Sequence, residues 1–294
     1  ISLALDLSDT PTIDADPHVK AVVLSGETLS DATMQAVAPE FNLSETTFVL
    51  PPDDPAHTAR IRIFNRTAEM AFAGHPMVGT AFVLAGMTPG LLEASFEIPA
   101  GIVRVAIERD ATGIPTGAEV EAPQPLTIGE TVPAEVVAGL LGLTPGDVVT
   151  SAHPPIMASV GNPYVIAELT EAALSRCEPD KRPFRDAVWG GPQFGTRLWV
   201  HVYSRHERTI RARMFAPLAG TWEDPATGSA NTPLACLLLS LESGTDEAAF
   251  EIHQGVEMGR PSLLHLTARR TADGIRASLG GASVGVMKGE IDCG

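Results

Sequence analysis

Two short stretches of small and apolar residues decide the fold of this chain. Residues 72–81 read FAGHPMVGTA, and residues 223–230 read EDPATGSA. Each opens a longer run, residues 74–85 and residues 228–241, that is apolar on most of its faces. Because a helix that is apolar all round must be buried on all sides, both runs are predicted to be central helices.

The residues before each helix follow the same plan. A strand ending in Phe, IRIF at 61–64 and RARMF at 211–215, leads to acidic residues, Glu69 in the first case and Glu223 with Asp224 in the second. This weak internal repeat predicts an α+β fold of two pseudo-symmetric lobes, each a β-barrel-like sheet around a central helix. If the lobes face each other, the N–H groups at both helix starts would form an anion site in one cleft.

The remaining sequence predicts many short strands and few helices, consistent with its 27 Gly and 24 Pro. Ser30 is a predicted N-cap for a helix over residues 31–39, and residues 133–141 predict another short helix. Residues 122–126 contain two prolines that interrupt the strand rhythm, so the link between the lobes is expected there. The predicted strands cover residues 20–25, 59–64, 96–98, 102–107, 156–160, 164–167, 197–204, 210–215, 263–268, 282–287 and 289–292.

The charge of the chain restricts its partners. With 36 acidic and 20 basic residues, the formal net charge is −16. Nucleic acid binding needs clustered basic residues and is therefore not expected. An anionic substrate would have to bind at backbone amides and helix starts, because the overall field opposes its approach. No apolar stretch has membrane-spanning length, and residues 1–10 lack the features of a signal peptide, so a cytoplasmic location is expected.

The sequence contains no motif for metal or nucleotide binding. The three cysteines, Cys177, Cys236 and Cys293, form neither a disulfide framework nor a CxxC pair. No phosphate-binding loop, dinucleotide fingerprint or Ser-His-Asp arrangement is present. Six further histidines are scattered without metal-ligand spacing; they are His57, His153, His201, His206, His253 and His265. No metal or cofactor is therefore predicted.

The two quoted stretches resemble the signature motifs of the PhzF-like (phenazine biosynthesis) isomerase family, within the diaminopimelate epimerase fold superfamily. Residues 42–48 (NLSETTF) and 254–262 (QGVEMGRPS) are similar to further family motifs, in the family's order. The resemblance runs from about residue 21 through nearly the whole chain.

The family's organisation implies where the lobes begin and end. The N-terminal lobe is expected over residues 1–120 and the C-terminal lobe over residues 121–278. The final strands, residues 279–294, are expected to return to the first lobe. The resemblance also implies a homodimer.

The resemblance implies a reaction as well. The family isomerises a dihydro-hydroxyanthranilate by proton shuttling, without metal or organic cofactor, so the expected substrate is a small anionic cyclic or amino carboxylic acid. Glu45 would be the proton shuttle, with His75 and Asp224 as further catalytic residues. The implied substrate-binding residues are Gly74, Gly228 and Ser229. Without the resemblance, Glu45 reads as an exposed carboxylate at a strand edge, while Thr80 and Thr227 are interpreted as structural.

Two alternatives remain open at this stage. The first is an amino or hydroxy acid epimerase or racemase; related enzymes place two cysteines at the helix starts, where this chain has Gly74-His75 and Gly228-Ser229. The second is a non-catalytic binding protein on the same scaffold. His18 stands where the family commonly has Asn, which leaves the edge of the pocket and the exact substrate undetermined.

Overall fold

The structure is a computed structural model, and it describes residues 2–8, 18–195, 198–207 and 209–291. The chain divides into two compact units. The first unit comprises Ile1–Gln124 with Ser278–Gly294, and the second unit comprises Pro125–Ala277. In the described part of the chain, no helix combines the length and the apolar composition needed to cross a membrane.

The described elements are mainly strands, often several in succession, with helices between the groups of strands, and they form a mixed α/β protein. The first unit contains β1 (Ser2–Ser8), β2 (His18–Val23), α1 (Asp31–Phe41), β3 (Thr46–Leu50), β4 (Ala59–Phe64), β5 (Glu69–Met70), α2 (Gly74–Met87), β6 (Glu93–Ile98), β7 (Gly101–Arg109) and β8 (Pro115–Glu121). The second unit contains β9 (Thr127–Thr131), α3 (Ala134–Leu140), β10 (Val148–Val149), β11 (Ile156–Ser159), β12 (Pro163–Leu169), α4 (Glu171–Leu174), α5 (Lys181–Gly190), β13 (Val200–His206), β14 (Thr209–Ala216), β15 (Thr221–Asp224), α6 (Gly228–Ser240), β16 (Glu247–Gln254) and β17 (Ser262–Thr271). The strand β18 (Gly274–Ala282) crosses into the first unit, which ends with β19 (Val284–Glu290).

The sheet of the first unit curves around α2. Its strands pair in the order β19-β1-β2-β3-β4-β6-β7-β8, with β5 beside β4 and the end of β18 beside β8. The pairs β2–β3 and β4–β6 are parallel, and the others are antiparallel. Since α2 contacts both β1 and β8, which are far apart in this order, the sheet must bend around the helix.

Small residues make this arrangement possible for α2. Gly74, Gly79, Ala81 and Ala85 are among its buried positions, and the whole first half of the helix is buried. Backbones can approach closely where side chains are this small, and a helix covered on most faces carries no polar stripe. The sequence prediction of a central helix is confirmed here.

The second unit uses the same kinds of pairing around α6. Its strands pair in the order β9-β11-β12-β13-β14-β16-β17, with β10 beside β12 and β15 beside β14. The pairs β12–β13 and β14–β16 are parallel. The helix α6 is buried from Gly228 to Leu239 and contacts β11, β16 and β17.

An Arg–Glu ion pair lies shortly before each central helix. In the first unit, Arg62 on β4 makes a two-pronged ion pair with Glu69, with N–O distances of 2.8 Å. In the second, Arg213 on β14 makes the same kind of pair with Glu223, at 2.7 and 2.8 Å. Each glutamate lies five residues before the first glycine of its helix. The acidic residues noted in the sequence repeat therefore hold the approach to each helix start.

Local sequence signals place several other elements correctly. Ser30 caps α1, its hydroxyl accepting from the Thr33 N–H at 3.1 Å, and the predicted helix over 133–141 is α3. The strand expected from residue 197 begins at Val200, while residues 196 and 197 lie outside the described part. The predicted strand over 289–292 corresponds to the end of β19, and residue 292 lies outside the described part of the chain.

Candidate active site

Glu45 lies at the turn that leads into β3. Its backbone carbonyl accepts from the Ala21 N–H at 3.4 Å, which ties the turn to β2. The residue is only 8% exposed, and Thr46 and Thr47 after it are buried as well. The interpretation of Glu45 as a solvated strand-edge carboxylate, which the bare sequence favoured, does not fit this burial.

His75 is the partner of Glu45. Its Nε2 atom lies 2.8 Å from Glu45 Oε2, and the histidine is 7% exposed. As the second residue of α2, it lies at the positive end of the helix dipole. A neutral imidazole donates to a carboxylate through one tautomer and accepts from a carboxylic acid through the other. The pair can therefore complement both protonation states of Glu45 if the ring proton moves from one nitrogen to the other.

A pair of threonines fixes the distance between these two side chains. Thr47 Oγ1 and Thr80 Oγ1 are 2.9 Å apart and hydrogen-bonded, and both are fully buried. Thr80 Oγ1 also donates to the Pro76 carbonyl at 2.8 Å. These bonds hold β3 against the first two turns of α2, which supports the structural interpretation of Thr80.

The start of α2 offers backbone N–H groups. Ala73 precedes the helix and has no polar side chain with which to cap it. Gly74 and His75 supply the first N–H groups, whereas Pro76 has none, and the first turn of a helix has no internal acceptors for these groups. Such a helix start favours an anion close to the Glu45–His75 pair.

Asp224 ends β15 in the second unit and is 4% exposed. Its Oδ2 atom accepts a short 2.5 Å hydrogen bond from the hydroxyl of Thr227, which directly precedes α6. The Thr227 side chain is thereby engaged with Asp224 rather than with the helix N–H groups. The predicted binding glycine Gly228 follows it as the first residue of α6.

Ser229 is buried at the second position of α6, with 3% exposure. Its hydroxyl forms a 2.7 Å hydrogen bond with the hydroxyl of Tyr164 on β12, which packs against the ring of Trp199 at 5.3 Å. The structure thus groups Asp224, Gly228 and Ser229 in the second unit and Glu45, Gly74 and His75 in the first.

Sequence reasoning missed three polar residues beside Asp224. Gln254, Asn231 and His201 are all fully buried, and they form one connected hydrogen-bond network with Thr227 and Asp224. Gln254 lay inside a quoted family motif, which could have drawn attention to it. His201 was set aside because the histidines lack metal-ligand spacing, and spacing carries no information about a hydrogen-bond partner.

A left-handed glycine lets Gln254 reach this position. Gly255 follows it at a φ of +75°, and a Cβ there would lie 2.2 Å from the Arg260 carbonyl oxygen and 2.9 Å from Pro225. Any other residue would push β16 away from the turn that carries Asp224.

Cys177 and Cys236 belong neither to the group around Glu45 nor to the group around Asp224. Burial raises the pKa of both Cys177 and Cys236 to about 12, so both thiols stay protonated at neutral pH. Cys236 lies in the middle of α6 rather than at its start. Cys293 and the side chain of His18 lie outside the part of the chain that the structure describes. Within the described part, no three His, Cys, Asp or Glu side chains are placed to hold a metal ion.

A buried carboxylate and a buried imidazole thus lie together at the start of a helix that a curved sheet encloses, in a chain of mixed α/β fold. The chain belongs to the phenazine biosynthesis-like (PhzC-PhzF) family, whose model matches residues 19–289. An uncharacterized isomerase of Mesorhizobium japonicum is 36% identical, covering 98% of this chain and 97% of the relative. The trans-2,3-dihydro-3-hydroxyanthranilate isomerase of Pseudomonas aeruginosa is 37% identical over 87% of each chain. The predicted family and its isomerase class are confirmed.

Solved structures support the fold independently. A PhzF-family phenazine biosynthesis protein of Bacillus anthracis matches with a TM-score of 0.81 at 22% identity, covering 99% of this chain and 98% of that one. A hydroxyproline epimerase of Agrobacterium vitis matches with a TM-score of 0.67 at 12% identity, covering 98% and 91%. At these identities the likeness concerns the fold alone.

Proposed function

We propose that this protein is an isomerase that moves a proton on a small cyclic or amino carboxylic acid, with Glu45 as the acid and base. The observation that carries the proposal is the 2.8 Å contact between buried Glu45 and buried His75 at the start of α2. A buried carboxyl in contact with an imidazole suits proton transfer, because an imidazole can accommodate either protonation state of the carboxyl group.

The proposed reaction needs two further functions. A carboxylate is a weak base for a carbon acid, so the charge that develops on the substrate has to be stabilised. We assign this to the backbone N–H groups at the helix starts, with Gly74 and Gly228 nearest the substrate carboxylate, and to Asp224 and Ser229 as polar partners. Glu45 would then remove one activated C–H proton and return it elsewhere on the conjugated system.

We also propose that the two units are pseudo-symmetric copies of one lobe. Three independent features support this: the order of parallel and antiparallel pairs, the Arg–Glu ion pairs of Arg62–Glu69 and Arg213–Glu223, and the five-residue spacing from each glutamate to the helix glycine. On this view the two helix starts are equivalent, and one of them carries His75 where the other carries Ser229.

The name of one relative supports a substrate class. The Pseudomonas aeruginosa relative is named for an isomerase of trans-2,3-dihydro-3-hydroxyanthranilate, a cyclic diene carboxylic acid. We propose that this chain acts on that molecule or on one of the same class, without metal or organic cofactor, as a cytoplasmic homodimer. Activity that survives dialysis against a chelator would support the assignment without metal, and a dimer mass in light scattering would support the homodimer.

The test uses trans-2,3-dihydro-3-hydroxyanthranilate and a panel of cyclic dienoic and amino acids in deuterium oxide, analysed by mass spectrometry and NMR. We expect an isomer with deuterium at the reacting carbon. Glu45→Gln should lower turnover by about 10²- to 10⁴-fold with the fold intact, because general acid–base catalysis contributes that much. Glu40→Gln, on the exposed side of α1, is the matched control and should retain activity.

Two other outcomes would replace the proposal. Exchange at a stereocentre with unchanged connectivity would identify an epimerase or racemase. Binding of these acids without turnover by the wild type would identify a binding protein. Full activity of Glu45→Gln would show that another residue moves the proton.

A further inference from the structure

A chain of buried hydrogen bonds leads from Asp224 into the interior of the second unit. Thr227 bonds Asp224, Gln254 on β16 bonds Thr227 at 2.9 Å, and Asn231 on α6 bonds Gln254 at 2.7 Å. His201 on β13 completes the chain at 2.9 Å from Asn231. None of these residues is more than 6% exposed, so water cannot replace a missing partner.

The direction of each bond is fixed by the chemistry of Gln254. Its Oε1 atom accepts from Asn231 Nδ2 and from the Thr227 N–H at 3.2 Å. Its Nε2 atom donates to the Asp224 carbonyl at 2.6 Å and to Thr227 Oγ1. The Thr227 hydroxyl accepts this N–H with one lone pair and donates its own proton to Asp224 Oδ2.

The far end of the chain is fixed in the same way. Asn231 Nδ2 also donates to the Thr227 carbonyl at 3.0 Å, so both amide protons of Asn231 are used and its Oδ1 faces His201. Burial lowers the pKa of His201 to about 4, which keeps the ring neutral at pH 7. The neutral ring must carry its proton on Nε2 in order to donate to Asn231.

We infer that Gln254, Asn231 and His201 are positioning residues that hold the Asp224 carboxylate and the first turn of α6 in the geometry needed for turnover. The inference rests on the proposed function. Four separate elements, β13, β15, α6 and β16, contribute to the chain, so loss of any one member leaves buried polar groups unpaired and frees the turn that carries Asp224.

Matched variants separate positioning from folding. Thr227→Val removes the hydroxyl at constant size, and Thr227→Ser keeps it. Gln254→Met removes both amide functions with little change in length. We expect Thr227→Val and Gln254→Met to lower kcat by about 10- to 100-fold, the value of a hydrogen bond to a charged group, while Thr227→Ser stays within a few fold of the wild type. Equal kcat for all three, measured well below their melting temperatures, would overturn the inference.

A measurement without substrate keeps the two proposals apart. The Asp224 carboxyl carbon can be observed by NMR in protein labelled with [4-¹³C]aspartate and assigned by its absence in Asp224→Asn. At pH 7 we expect a changed resonance in Thr227→Val and Gln254→Met and an almost unchanged one in Thr227→Ser. The neighbouring Arg213–Glu223 pair is the same in all variants, so it does not contribute to the difference.

The outcomes are distinguishable. A wild type without proton chemistry on any acid would refute the proposed function, yet the resonance shifts would still support the hydrogen-bond chain. Unchanged resonances in both disrupting variants would overturn the chain even if the enzyme turned over.

Discussion

Burial of a single titratable residue makes folding depend on pH. His201 on β13 is fully buried, and its Nε2 atom is hydrogen-bonded to Asn231 on α6. Desolvation lowers the pKa of this ring to about 4, although the hydrogen bonds to Asn231 and to the Arg213 backbone act in the opposite direction. Desolvation is the larger effect because the ring loses all contact with water.

This depressed pKa predicts a loss of stability in mild acid. An unfolded histidine titrates near 6.5, so between about pH 6.5 and pH 4 the unfolded chain binds more protons than the folded one. The free energy of unfolding should therefore fall as the pH drops through this window, by about 3 kcal/mol from this residue. Above pH 6.5 the residue contributes no pH dependence.

Denaturant unfolding at several pH values checks this prediction. His201→Gln keeps a donor toward Asn231 and cannot titrate, so its free energy of unfolding should change less between pH 6.5 and pH 4 than that of the wild type. His206→Gln, at an exposed position, is the control and should behave as the wild type does. A His201→Gln variant with the wild-type slope would contradict the assignment.

At the level of elements, local signals were sufficient for the helices that carry the site. The small and apolar runs at 74–85 and 228–241 predicted α2 and α6, and Ser30 predicted the start of α1, because periodicity and capping depend on near neighbours in sequence. The family motifs supplied Glu45 and its place before β3. The prediction that the residues of both units act on one substrate stays a prediction.

The Gln254 network could not be predicted in this way. The bonds made by Gln254 and the bond between His201 and Asn231 join residues 23 to 30 positions apart, and they depend on the register of β13 and β16 against α6. A sequence without its relatives shows a polar residue but not the strand register that decides its partner. The helix α5 was missed for a different reason. Phe184, Ala187 and Val188 form an apolar face at i, i+3 and i+4 that packs against the core, but this face is short and lies among charged residues.

The two Arg–Glu pairs allow a prediction at this scale. The side chains of Arg213 and Glu223 are 8% and 10% exposed, and those of Arg62 and Glu69 are 18% and 32% exposed. Glu223→Met leaves a buried guanidinium without its counter-charge and should cost about 3–5 kcal/mol of unfolding free energy. Glu69→Met should cost about 1 kcal/mol, because water reaches that pair.

Thermal and denaturant unfolding of the two single variants provide the measurement. The double variant Arg213→Met, Glu223→Met is the control, and it should recover much of the loss because no buried charge remains. Equal losses from Glu223→Met and Glu69→Met would show that burial does not distinguish the two pairs.

The net charge of −16 acts on the molecule as a whole. It repels an approaching anion over a distance set by the Debye length, which is about 30 Å at 0.01 M salt and about 10 Å at 0.1 M. The helix starts that we assign to the substrate carboxylate attract an anion only within about one turn. At low salt the distant repulsion should therefore outweigh the local attraction until the substrate is bound.

This balance predicts the sign of the salt dependence. For a substrate of net charge −1, such as a cyclic dienoic acid without an amine, KM should fall about threefold as salt rises from about 0.01 to 0.15 M, since screening removes the repulsion. The value of kcat should stay constant, because the bound substrate lies beside the same helix starts at either salt concentration. A zwitterionic amino acid substrate is the control, and its KM should change little. If KM of the anion rises with salt instead, the attraction of the helix starts dominates even at long range, and the site is more positive than the composition of the chain implies.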